Sequence, residues 1–355
     1  MTRLAHLGLG EFFRAHQAWY TDRANRLGAE VWRYTAFTGR SPALADAMNA
    51  AGNEYTLIER AADGDTSSVI RSVAASFAGG DEDALAAVFA DDELAVVTLT
   101  VTEQGYDPAA SPVPGRVLAG LSARRAAGGG PLALVSCDNL SGNGEVLHGS
   151  VVRLAEASDL DLARWIEANV TFPSTMVDRI TPHSGDPLTV VTEPFSEWVI
   201  AGEFPAGRPA WDAVGARFVD DVAPYERRKL WLLNAAHSTI TYLGLLAGYE
   251  TVDAAFADDA IHAAVEALWG EVRPVLGFDD AETDAALAAL RTRFANPRIQ
   301  HRLTQIARQG REKLAQRQVA IMAARAEAGL PAGDACRATI SAFDEVVKRG
   351  IARVD

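Results

Sequence analysis

The first half of the chain alternates short apolar runs with longer mixed segments. "LAHLGLG" (Leu4–Gly10) reads as a short strand entering a glycine turn, and the pattern from Glu11 to Leu27 as a helix. "WRYTAF" reads as a second strand. "LAVVTLTVT" (Leu94–Thr102) and "PLALVSCDN" (Pro131–Asn139) are apolar, β-branched runs of buried-strand length. Between them, Ser122–Pro131 is a helix end and a loop. "LTVVTEPFSEWVI" (Leu188–Ile200) is one more strand candidate. Strands separated by helices predict an α/β fold with a parallel, doubly wound sheet.

From about Pro224 the period changes. "PYERRKLWLLNAAHSTITYLGLLAGY", "DAAFADDAIHAAVEALWGEVRPVLG" and "DDAETDAALAALRTRFA" are long helical patterns with few strand signals. Asp220 and Asp221 supply helix-start signals. The expected division is a dinucleotide-binding domain over residues 1–221 and a mostly α-helical domain over 222–355.

Composition narrows the partners. The 355 residues are 48% hydrophobic and 23% charged, with a net charge of −14 and a pI near 5.0. An acidic surface argues against nucleic acid or an anionic membrane as partner. Cys137 and Cys336 are the only cysteines and form neither a metal-ligand spacing nor a disulfide framework. The N-terminal apolar stretch is broken by His6, Glu11 and Arg14, so no signal peptide is expected, nor any membrane span. A cytoplasmic protein, monomeric or a small homo-oligomer, acting on a small molecule is the expectation.

"HLGLGEFFR" places Gly8 and Gly10 at the strand–helix turn, with Phe12 and Phe13 following. Gly8 would make the tight turn and Gly10 admit a pyrophosphate at the helix start. Phe13 replaces the third glycine of the usual fingerprint. The next strand ends in "AFTGRSP", without the acid that holds an NAD ribose; Arg40 stands there instead. An arginine there suits a 2′-phosphate, so NAD and NADP both stay open; Arg40 also reads as a solvated loop residue.

"KLWLLNAAHSTITYLG" (Lys229–Gly244) carries a lysine, an asparagine and a histidine within an apolar helix. On an α-helical wheel with Lys229 at zero, Asn234 falls at about 140° and His237 at about 80°. Burying such groups without partners costs a few kcal/mol each. A desolvated lysine can serve as general base, an asparagine amide can donate to an oxygen gaining charge, and a histidine can orient an alcohol or ketone. Lys229 snorkelling to water, with the other two satisfying backbone groups, is the structural alternative.

That segment resembles the K-x-x-x-L-N-x-x-H stretch of the mannitol dehydrogenase family, the polyol-specific long-chain dehydrogenases. "HLGLGEFFRAHQAWYTD", "SCDNLSGNG", "TFPSTMVDRITP" and "VTEPFSEWVI" agree in the same order. The resemblance implies a Rossmann-type N-terminal domain, a helical C-terminal domain, a nicotinamide cofactor and no metal. It implies Lys229 as general acid/base, Asn234 and His237 on the reactive oxygen and its neighbours, and Asn139 completing the oxyanion site. Asp178 of "MVDRITP" would lie near substrate and cofactor.

The family's "DGSxK" pattern matches "RQGREKL" only in part, making Lys313 the substrate-binding candidate. Arg308 and Arg311 add charge there that suits a carboxylate or phosphate; a solvated helical face is the other reading. The chain also starts almost at the dinucleotide strand, which implies a more open substrate cleft. The expected activity interconverts a polyol or aldonate with its ketose or keto-acid, the alternatives being a hexuronate reductase of the fructuronate type or a sugar-phosphate dehydrogenase. A non-catalytic nucleotide or sugar sensor is the reading from another class. Asn143 is expected to cap the following helix, Cys137 to be a small core residue, and Asp138 and Glu193 to be structural hydrogen-bonders.

Overall fold

The computed structural model describes residues 3–28, 30–39 and 41–354. The chain forms two compact units: Met1–Glu59 with Asp65–Ala223, and Arg60–Gly64 with Pro224–Asp355. Among the described residues the strands are β1 (Leu4–Leu7), β2 (Tyr34–Phe37), β3 (Tyr55–Arg60), β4 (Asp65–Ile70), β5 (Val73–Phe77) and β6 (Val96–Leu99). They continue with β7 (Leu132–Ser136), β8 (Val170–Thr171), β9 (Ser174–Asp178), β10 (Thr189–Thr192), β11 (Glu197–Ala201) and β12 (Arg217–Phe218).

Six strands form one sheet in the order β5-β2-β1-β6-β7-β8, and all its pairings are parallel. Alternate side chains enter two separate cores. Leu4, Val96, Ala133 and Val135 join the aromatic cluster around Trp19, Tyr20 and Trp198. Ala5, Leu7, Val97, Leu99, Leu132 and Leu134 join the cluster around Phe89, Leu121, Leu147 and Ile166. Continuous apolar strands are therefore buried on both faces, the signature of a doubly wound sheet. The smaller sheets are β10-β3-β4 and β12-β11-β9.

Two segments depart from the pattern reading. The helix expected over Glu11–Leu27 is two helices, Glu11–Ala15 and Gln17–Leu27, broken at His16 (φ −121°, ψ −88°). The His16 ring fits between Phe12 and Trp198, and its Nε2 donates to the Glu197 carbonyl, 3.0 Å. The run Leu188–Ile200 is likewise two strands. Glu193 leaves the ladder there to accept from the Ile180 N–H, 2.7 Å, and Pro194 has no N–H to continue it.

The second unit is helical. Helix Ala235–Ala247 is buried at nearly every position and lies in one core with residues of helices Asp259–Leu276, Asp280–Phe294 and Asp334–Arg349.

Candidate active site

In the first unit, chain order reverses between β1 and β6, the switch point where open α/β sheets bind ligands beyond the strand ends. The Gly8 turn lies there. Gly8 has φ +107°, and a Cβ on it would lie 2.0 Å from the Thr100 carbonyl oxygen, so both conformation and space require glycine. The N–H groups of Gly8 and Leu9 donate to the Phe37 carbonyl, 2.9 and 2.8 Å. Gly10 precedes helix Glu11–Ala15 with an extended φ of −138°. A Cβ there would meet only the Gly8 carbonyl, at 3.5 Å. The protein itself therefore leaves the approach to Gly10 open, which fits a phosphate cradle.

Phe13, at the third fingerprint position, faces the core. It is fully buried and stacked on His6 at 3.6 Å, while Phe12 is half-buried. His6 fixes the turn from below, its Nδ1 bonded to Thr98 Oγ1 (2.8 Å) and its Nε2 to Thr100 Oγ1 (3.0 Å). Burial lowers the His6 pKa to about 3, against smaller raising contributions from the backbone at Gly8 and Thr98. The ring is neutral at neutral pH. Arg40 lies outside the described residues.

Asn139 follows β7 and is exposed. Its neighbour Asp138 is buried and accepts from the N–H groups of Val101 (2.9 Å) and Thr102 (2.8 Å) and from the Tyr106 hydroxyl. It pins the turn after β6, where Thr102 takes φ +69°. Asn143 does not cap its helix: it is the first helical residue, behind Gly142, which makes no side-chain cap. Its amide nitrogen donates to the Asp138 carbonyl (3.0 Å) and the Thr175 carbonyl (2.8 Å). Its amide oxygen accepts from the Thr175 N–H, 2.9 Å. It thereby ties the Asn139 loop to β9, the strand that ends in buried Asp178. The polar, partly apolar-flanked "DNLSGN" gave no sign of this cross-link. Cys137 is a buried core residue, and burial pushes its thiol pKa up.

In the second unit, Lys229–Asn234 is a π-helical segment between helices Ala223–Arg228 and Ala235–Ala247. The Ala235 N–H donates to the Leu230 carbonyl, five residues back. A π turn closes at i+5, so Lys229 and Asn234 come closer to one line than the wheel of a regular α-helix allows. Such segments are short, expose unpaired carbonyls and concentrate at functional sites. Here side chains cover those carbonyls. Trp269 Nε1 donates to Leu232 O, 2.9 Å. Gln318 Nε2 donates to Ala235 O, 2.9 Å. Arg317 Nη1 donates to Asn234 O (2.9 Å) and to Ser238 Oγ (2.8 Å). Arg317 and Gln318 belong to a second π segment, Ala315–Val319. No sequence reading singled out either residue. Their one signal is a cation and an amide in a mostly apolar stretch.

Lys229 and Asn234 are half-buried, and His237 is 7% exposed. The His237 ring lies 4.9 Å from Phe294 and 5.3 Å from His301. Burial first, then the nearby His301 and the positive charges of Arg293, Arg317 and Lys313, hold its pKa well below the usual value, so it is neutral. Lys313, half-buried, donates from Nζ to the Ile306 carbonyl, 3.1 Å. Gly310 before it cannot change, because a Cβ would lie 2.5 Å from Phe343 and 2.8 Å from the Tyr242 hydroxyl. Arg311 is exposed and lies over the Phe343 ring at 5.6 Å, and Arg308 is exposed. The structure thus gathers Lys229, Asn234, His237 and Lys313 in one unit and leaves Arg308 and Arg311 at its surface.

Comparison with known proteins places this geometry. Residues 2–213 match the mannitol dehydrogenase Rossmann domain, and residues 221–334 match the mannitol dehydrogenase C-terminal domain. The chain belongs to the mannitol dehydrogenase family.

It is an oxidoreductase of that family. It is 37% identical to D-mannonate oxidoreductase of Escherichia coli (strain K12), over 89% of this chain and 74% of the relative. It is also 37% identical to mannitol 2-dehydrogenase of Cereibacter sphaeroides, over 83% and 70%. The solved mannitol 2-dehydrogenase of Pseudomonas fluorescens, in a ternary complex with NAD and D-mannitol, superposes with a TM-score of 0.83. That match has 32% identity and covers 98% of this chain and 79% of the other. Among the described residues no helix is long and apolar enough to cross a membrane.

Proposed function

We propose that this protein is an NAD-dependent dehydrogenase that interconverts a secondary alcohol of a polyol or aldonate with the matching ketone, Lys229 being the general acid/base. The observation that carries the reading is the π segment, which brings Lys229 and Asn234 toward one line and ties down the carbonyls around them. Support for the cofactor comes from the Gly8 turn at the switch point, from the open approach to Gly10, and from the NAD bound to the Pseudomonas fluorescens relative. NADP is the competing cofactor because of Arg40.

When bound, the nicotinamide ring accepts or returns the hydride at the reacting carbon. In oxidation, Lys229 Nζ takes the hydroxyl proton as that hydride leaves; in reduction it returns the proton to the alkoxide oxygen. The amides of Asn234 and Asn139 donate to the oxygen as it gains charge. Neutral His237 can donate one hydrogen bond to a neighbouring hydroxyl and cannot compete for the proton. Asp178 and Lys313 are the proposed contacts to the rest of the sugar chain. The test is turnover of Lys229→Met against wild type, followed at 340 nm, with NADH affinity measured in the same preparations. Loss of turnover at unchanged NADH affinity supports the role, and turnover near wild type removes it.

A further inference from the structure

The helix that follows the glycine turn is short, and both of its ends are held by one distant stretch of chain. At its start, Arg14 Nε donates to the Gly10 carbonyl (3.1 Å) and Arg14 Nη1 to the Pro187 carbonyl (2.5 Å). Glu11, its first residue, accepts from the N–H and the hydroxyl of Ser184, 3.0 and 3.1 Å. At its end, Arg179 Nη1 donates to the Ala15 carbonyl, 2.5 Å. The last carbonyls of a helix need partners from outside it, and the break at His16 leaves this one where Arg179 reaches it. The Arg179 guanidinium also lies over the Trp19 ring at 4.3 Å, so it grips the chain on both sides of the break.

Arg179 is the hub of these contacts. Its Nε and Nη2 donate to the Glu193 carbonyl, 3.2 and 3.1 Å, and its Nη2 donates to Glu59 Oε1 at 2.6 Å. The side chain is 0% exposed. Two carbonyls and one carboxylate, from three separate segments, thus converge on one guanidinium. A buried ion pair is weak evidence for stability, because apolar residues of similar volume often serve as well or better. What a buried, fully engaged guanidinium does supply is a single fixed geometry. Arg179 directly follows Asp178, the last residue of β9, and consecutive Cα atoms are held about 3.8 Å apart. Fixing Arg179 therefore fixes where the buried Asp178 side chain begins.

We propose that Arg179 is the positioning residue for Asp178: it fastens the strand that ends in this carboxylate to the helix that follows the glycine turn, so that the sugar is held in register with the cofactor. The inference rests on the proposed contact of Asp178 with the sugar. Arg179 itself touches neither ligand and acts through its neighbour.

The experiment is a double-mutant cycle. NADH-dependent reduction of the best sugar substrate is measured for wild type, Arg179→Lys, Asp178→Asn and the double variant, with rates normalised to NADH-binding sites and Tm recorded for each. Lysine keeps the charge and loses the fork. The expected kcat/KM for the sugar falls by at least about tenfold in Arg179→Lys, as a small misplacement of a substrate contact produces, with NADH affinity unchanged. In the Asp178→Asn background the same substitution costs almost nothing further, because both changes remove one contact. A residue that only stabilises the fold would lower Tm and leave kcat/KM per folded site unchanged.

Wild-type kcat/KM in Arg179→Lys, beside a reduced Asp178→Asn, overturns this inference and leaves the role of Asp178 standing. Losses that multiply in the double variant overturn it as well, since Arg179 then acts by another route. Wild-type kinetics in Asp178→Asn remove Asp178 from the site and the inference with it. Should Arg179→Lys fail to fold, Glu59→Gln weakens the same anchor from a half-buried position. A fall in kcat/KM of about threefold, the scale of such an ion pair, is then expected, again absent in the Asp178→Asn background; an unchanged value overturns the proposal.

Discussion

His6 makes stability depend on pH in a direction that can be worked out. Its folded-state pKa is lowered from 6.5 to about 3 by burial. Above pH 6.5 the ring is neutral in both folded and unfolded chains and costs nothing. As pH falls below 6.5 the unfolded chain takes up a proton that the folded chain refuses, so stability drops. Between pH 7 and pH 5 this amounts to about 2 kcal/mol from His6 alone. At roughly 1–2 °C per kcal/mol for a chain of this length, Tm falls by about 2–4 °C. His237 and His301 titrate in the same direction and deepen the loss. The assay is Tm against pH for wild type and His6→Asn, with NADH affinity at each pH, because His6 supports the Gly8 turn through Thr100. The variant is expected to lose less of its Tm over that interval. Parallel curves for the two proteins would refute the reasoning.

Gly8→Ala forces a φ of +107° on a residue whose Cβ lies 2.0 Å from Thr100 O. Strain of about 1–3 kcal/mol, with displacement of the turn, should lower Tm and abolish NADH binding in a fluorescence titration; NADH affinity equal to wild type would show that the turn does not hold the cofactor. Arg317→Met takes the donor from Asn234 O and Ser238 Oγ. A loss of about 1–3 kcal/mol in stability is expected, together with at least a tenfold fall in kcat, and Arg317→Lys should recover part of both. An unchanged kcat in Arg317→Met would detach the π segment from the chemistry.

The strands of the main sheet were legible because burial on both faces leaves uninterrupted apolar runs, as in Leu94–Thr102 and Pro131–Asn139. The break at His16 was not, because a helical pattern of polar and apolar residues continues across it. The strand split at Glu193 was signalled only by Pro194. Lys229, Asn234 and His237 stood out as polar residues in an apolar helix, yet the π turn that alters their alignment left no trace. Six residues are too few for a shift from α to π periodicity to show. Arg124 illustrates the same limit. It reads as one of two arginines at a helix end, but it is 1% exposed. It donates to the carbonyls of Phe89, Asp91, Leu94, Gly130 and Pro131. Phe89, Asp91 and Leu94 lie thirty or more residues from Arg124 in sequence, and pattern alone does not supply such partners.

The central claim is that Lys229 moves the proton. Its most direct test is the turnover of Lys229→Met on the best substrate, beside wild type, with NADH affinity and Tm recorded for both. The account predicts a fall in kcat of at least about 1000-fold, within the range of general acid–base catalysis, with NADH affinity unchanged. A kcat within about tenfold of wild type at equal NADH affinity would contradict it.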